Sequence, residues 1–160
     1  MKVYADSSFI LRLVVGETGS EEAIAAYRQA GRPMLPYLWI HQLEVENALR
    51  QRAFHETQVR PAKERPLIQR EVAASFARLG QLQRRRGLTS VTIDWEAVVA
   101  RSLKLSADHT QRIGARAIDI LHVSAALQLG VDQFLTFDRR QATMGRQEGL
   151  QVVDLTAEFP

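Results

Sequence analysis

The chain has 160 residues, 46% apolar and 24% charged, no cysteine, and a formal net charge of +3. These values predict a soluble globular protein with enough chain for a sizeable core in one domain, 1–160, and they exclude disulfides and thiolate metal sites. No apolar run approaches the roughly 20 residues of a spanning helix, and Asp6 interrupts what would otherwise pass for a signal sequence, so the expected address is the cytoplasm, away from membranes.

In chain order, KVYA (2–5) reads as a short strand and SSFILRLVV (7–15) as a helix broken by GETGS. Ser20 is placed to cap a helix from Glu21 to about Ala30. PMLP (33–36) leaves room for a very short strand before a long helix over 37–54. Pro61 suits the start of another helix, which runs to Arg86 and stops at Gly87. LTSVTI (88–93) alternates and is β-branched, a strand pattern. Asp94 caps the next helix, and ARAIDILHVSAALQLG (115–130) forms one ended by Gly130. DQFLTF (132–137) is a strand, 138–149 a helix and LQVVDL (150–155) a last strand. This alternation predicts an α/β fold, a three-layer α/β/α sandwich on a mostly parallel sheet. In such sheets ligands bind outside the carboxyl ends of the strands, where Asp6 and Asp138 both fall.

Charge is uneven. Residues 50–86 hold ten Lys/Arg against three Glu, a net of +7, which leaves −4 for the rest of the chain. Charge alone fits a solvated helical face and a polyanion-binding surface equally well.

Several carboxylates stand in unusual places. On a wheel of about 100° per residue, helix 115–130 is apolar almost all round, with Ser124 and Gln128 as its polar face. Asp119 and His122 both fall off that face. A buried Asp must be paired, protonated or bound to a cation, and a local bond to Arg116 is the structural alternative. In helix 37–54, Glu46 has Arg50 at i+4. Glu44 has Ile40 and Ala48 on its own row, which makes it the inward acid. His41, at i−3 of Glu44, reads as a surface residue. Asp138 also suits a helix cap, with Gln141 completing a capping box. Asp154 reads as solvent-facing.

Asp6, Glu44, Asp119 and Asp138 converging without cations would repel one another and hold their protons. Hard divalent cations, Mg²⁺ or Mn²⁺, resolve that conflict with oxygen ligands. Zinc fits poorly without cysteine or an H-E-x-x-H motif. An acidic metal pocket beside a basic face points to phosphodiester hydrolysis.

The four segments YADSSFIL, LEVENALR, AIDILHVSAAL and FLTFDRRQ, in this order across essentially the whole chain, resemble the PIN domain family, in particular its VapC-type toxins. Asp6 with Ser7 and Ser8, Glu44 with Asn47, Ala48 and Leu49, Asp119 with Leu121 and Ala126, and Thr136 with Asp138 match the family's acidic motifs. Ser124 stands where alanine is usual, and His122 where many members carry an aliphatic residue. The resemblance implies a Mg²⁺- or Mn²⁺-dependent ribonuclease, often homodimeric, inhibited by a small antitoxin whose tail covers the active-site groove.

On this reading Asp6, Glu44 and Asp119 hold the cation and Asp138 assists directly or through water. Ser8 and Thr136 orient carboxylates or contact phosphate. Arg50, Arg52, Arg84, Arg85, Arg86, Arg139 and Arg140 contact the RNA backbone, which positions a strand without selecting its sequence. His122 is read as a buried, hydrogen-bonded histidine packed beside Asp119. Three rivals stand beside this reading: a non-toxin RNA-processing nuclease of the same family, a PIN-like module that binds without cutting, and a receiver-like signalling domain. The last lacks a lysine late in the sheet, since the lysines are residues 2, 63 and 104.

Overall fold

The computed structural model describes residues 2–156. The ends of the expected 1–160 domain therefore lie outside the described residues. The elements are β1 (Val3–Ala5), α1 (Ser7–Val14), α2 (Ser20–Gln29), β2 (Leu35–Pro36), α3 (Trp39–Val59), α4 (Arg65–Arg84), β3 (Leu88–Thr89), α5 (Trp95–Ile113), α6 (Ala117–Leu129), β4 (Gln133–Thr136), α7 (Arg139–Gln147) and β5 (Gln151–Asp154), with a short 3-10 turn at Ala62–Glu64. The strands form a sheet in the order β1-β4-β5 and a separate pair β2-β3, with every pairing parallel.

The layers follow from the two-residue period of the strands. Val3 and Ala5 of β1 and Leu135 of β4 pack into a core formed with α1, α2, α3 and α4. Tyr4 and Phe134, one residue out of phase, pack into a second core with α5, α6 and α7. Alternate side chains thus feed opposite faces, and the helices cover both, which gives the three-layer α/β/α sandwich. Strands buried on both faces explain why VYA and FLT are almost wholly apolar.

Several boundaries differ from the sequence expectation, and α4 begins at Arg65, after the 3-10 turn, not at Pro61. Ser20 does not cap α2. The cap is Gly19, at φ +90°, and a Cβ there would lie 2.6 Å from Arg12 Nε. The Ser20 hydroxyl instead donates to the Val15 carbonyl at 2.7 Å. Helix α3 continues to Val59, because no breaker comes before Arg60, whose extended backbone is the one favoured before Pro61. Arg86, not Gly87, takes the left-handed turn after α4, at φ +58°. LTSVTI pairs only through Leu88–Thr89, since its partner β2 is two residues long.

Candidate metal and phosphate site

Asp6 follows the carboxyl end of β1, and its backbone N–H donates to the Leu135 carbonyl of β4 at 3.1 Å. Its side chain is fully buried. Oδ1 accepts from the Phe9 N–H at 2.9 Å, so Asp6 also caps α1. The Ser8 hydroxyl lies 2.7 and 2.9 Å from the two carboxylate oxygens, and Thr136 Oγ1 donates to Oδ2 at 2.7 Å. A carboxylate offers about four lone-pair sites, so these three donors leave room for one further partner. Burial drives the Asp6 carboxyl above its ordinary pKa, against the opposing pull of His122, the two hydroxyls and the amide.

Thr136 also ties Asp6 to the next acid. Its hydroxyl accepts from the Asp138 N–H at 2.8 Å. Asp138 Oδ1 caps α7 by accepting from the Arg140 and Gln141 N–H groups at 2.8 and 3.0 Å. The expected capping box is only half made, because the Gln141 side chain turns away from the cap. Its Nε2 lies 3.4 Å from Asp119 Oδ1, and its buried Oε1 has no partner among the described residues. Asp119 accepts from the Arg116 backbone N–H at 2.9 Å. That is the local bond to residue 116 weighed from sequence, made by the backbone amide and not the guanidinium. Asp119 is 5% exposed. Burial raises its pKa first, and the Asp138 charge raises it further, against the Arg116 amide and the charges of Arg116 and Arg140.

Glu44 joins from α3 through a histidine. Its Oε2 lies 2.6 Å from Nε2 of the fully buried His122. Burial raises the Glu44 carboxyl, but hydrogen bonding from His122, its charge, and a Ser7 bond outweigh it and leave the pKa below its ordinary value. His122 is buried and hydrogen-bonded, as expected, and its ring packs against those of His41 and Tyr4. Glu46 pairs with Arg50 at 2.7 Å, as its spacing predicts. His41 is not on the surface: it is fully buried, accepting from the Leu38 N–H on Nδ1 and donating from Nε2 to the Ala5 carbonyl. Ser124 is likewise buried, 2.9 Å from Ser102 Oγ on α5, so of the expected polar face of α6 only Gln128 is exposed. Asp154 pairs with Arg146 at 3.0 Å.

Three aspartates therefore stand on one chain of hydrogen bonds, Asp6–Thr136–Asp138–Gln141–Asp119, and Glu44 meets them beside Asp6 through His122. Among the described residues, no group of three or more His, Asp or Glu side chains is gathered closely enough to hold a metal ion as it stands. The donor chemistry nonetheless fits a hard divalent cation: the side-chain ligands are oxygens, two of the acids are held above their ordinary pKa, and the orphaned Gln141 oxygen lies among them.

The basic residues divide sharply. Arg116, Arg139 and Arg140 line an open cleft of about 680 Å³ with Asp138, Ile113 and Thr143. Arg116 has no marked sequence signal beyond its place before α6. Arg50 is paired with Glu46, and Arg52 with Glu17 and Glu56. Arg84, Arg85 and Arg86 are exposed near the amino end of β3, with no bond linking them to the acids.

The PIN domain family model matches residues 3–147. The fold is similar to that in a crystal structure of FitAcB from Neisseria gonorrhoeae, at a TM-score of 0.57 and 15% identity, covering 94% of this chain and 95% of that one. No curated protein matches the chain.

Proposed function

The chain belongs to the PIN domain family, and from that premise we propose that it is a Mg²⁺- or Mn²⁺-dependent ribonuclease acting as the toxin of a toxin–antitoxin pair. Members of the family are generally metal-dependent nucleases. The observation that carries the reading is the linked set Asp6, Asp138 and Asp119, with Glu44 beside it, of which Asp138 lines the arginine-bearing cleft.

In this mechanism Asp6, Glu44 and Asp119 hold the cation, with Asp138 assisting. Bound Mg²⁺ or Mn²⁺ supplies Lewis-acid polarisation of the phosphate and a water acidic enough to act as nucleophile near neutral pH. Ser8 and Thr136 fix the Asp6 carboxylate by donating to it, so its orientation is set before substrate arrives. Arg116, Arg139 and Arg140 neutralise backbone phosphates in the cleft and align the strand. The low Glu44 pKa keeps that acid ionised for ligation. No histidine is required as a base.

The same reading assigns a cognate antitoxin that covers this cleft. It also assigns a homodimer, for which Trp39 and Leu43 on α3 and Val99 and Leu103 on α5 are exposed apolar side chains. The test is cleavage of RNA by the purified chain with Mg²⁺, with Mn²⁺ and with EDTA. Cleavage restricted to the metal-containing reactions is expected.

A further inference from the structure

His122 occupies a core position that packing alone would fill with an aliphatic side chain, since Ile120, Val123 and Ala125 around it are buried and apolar. Burying an imidazole is costly unless both nitrogens are partnered, and here both are. Nδ1 lies 2.8 Å from the Tyr4 hydroxyl, and Nε2 lies 2.6 Å from Glu44 Oε2 and 3.1 Å from Ser7 Oγ.

Donor and acceptor chemistry sets the bond to Glu44. A carboxylate only accepts, so Nε2 carries the proton that it gives to Glu44. At Nδ1 the Tyr4 hydroxyl completes the ring's set of partners. On the other side, the His41 ring stands 4.7 Å from the His122 ring and is itself locked by the Leu38 amide and the Ala5 carbonyl. The imidazole is held on every side, and its one outward bond ends on Glu44.

The elements joined are the acid-bearing ones. Tyr4 and Ser7 flank Asp6, His122 lies three residues after Asp119 on α6, and Glu44 comes from α3, where its own helical row gives it no partner. We propose that His122, oriented by Tyr4, is a positioning residue that holds the Glu44 carboxylate toward the acidic rim for divalent-cation binding. This inference rests on the metal-dependent reading above. Without His122 the Glu44 side chain, 30% exposed, is free to turn into solvent.

Mn²⁺ binding by electron paramagnetic resonance, with the thermal midpoint of the metal-free protein, tests the proposal on wild type, His122→Leu, His122→Gln and Tyr4→Phe. His122→Leu is expected to weaken Mn²⁺ by about 10–100-fold, the usual range for a partner that orients a ligand. His122→Gln, whose amide N–H can reach Glu44, restores most of the affinity, and Tyr4→Phe loses about tenfold. A packing role alone would lower the midpoint and leave Mn²⁺ affinity unchanged in His122→Leu, which overturns the proposal. Should His122→Leu not fold, wild-type affinity in Tyr4→Phe overturns it instead. Wild type that binds no Mn²⁺ overturns the metal reading itself, and this inference with it.

Discussion

Thr136 and Asp6 are bonded across the sheet, hydroxyl to carboxylate, at 2.7 Å, although they are 130 residues apart in sequence. The same hydroxyl accepts the Asp138 N–H, so one side chain on β4 orders two acids at once. Replacing it with an isosteric apolar group strands both partners in a buried setting. Thr136→Val is expected to cost about 1–3 kcal/mol of folding stability, measured by urea unfolding in EDTA. A cost near zero would show that neither bond matters.

Asp6 and Glu44 should respond to pH with opposite signs. The folded Asp6 carboxyl is raised, so the native state holds its proton more tightly than the unfolded chain does. Its favourable contribution is present below the unfolded pKa and is lost as pH rises through the folded one. Glu44 is lowered, so its contribution is present above the unfolded pKa and is lost as pH falls through the folded one. Without metal, Asp6→Asn should therefore gain stability relative to wild type as pH rises across the carboxylate range. Glu44→Gln should lose it. Unfolding series for the two variants in EDTA check this, and parallel curves would contradict it.

Arginines that face the cleft should matter more for RNA than arginines already paired. Each lost phosphate contact lowers the slope of log affinity against log salt by about 0.7 for a single strand. Arg139→Ala with Arg140→Ala is expected to reduce the slope by about 1.4. Arg52→Ala, whose guanidinium is held by Glu17 and Glu56, should leave it nearly unchanged. Binding isotherms of an uncleaved RNA in EDTA at several salt concentrations separate the two sets.

Much of this site was legible because its residues break local rules. Asp119 in an apolar helix and Glu44 without a row partner stood out against their neighbours, and Glu46 found the Arg50 its spacing predicted. Features set by contacts between distant segments did not stand out. Nothing near His41 in sequence announces that Ala5 will receive its proton, and nothing near Ser124 announces Ser102. Arg86 takes the left-handed turn beside a glycine that local propensity favours for it. Composition also counts the charges of the run 50–86 without showing that Arg50, Arg52 and Arg60 are paired with glutamates.

The central claim is that these acids act through a divalent cation on RNA. The most direct measurement is the initial rate of RNA cleavage by wild type and Asp6→Asn, each with Mn²⁺, with Mg²⁺ and with EDTA, on protein whose folding is verified by circular dichroism. The account predicts cleavage by wild type with metal and none in EDTA. It predicts a loss of about 10²–10⁴-fold in Asp6→Asn, since metal assistance is worth several kcal/mol and each 1.36 kcal/mol is tenfold. Cleavage that persists unchanged in EDTA and in Asp6→Asn would contradict it.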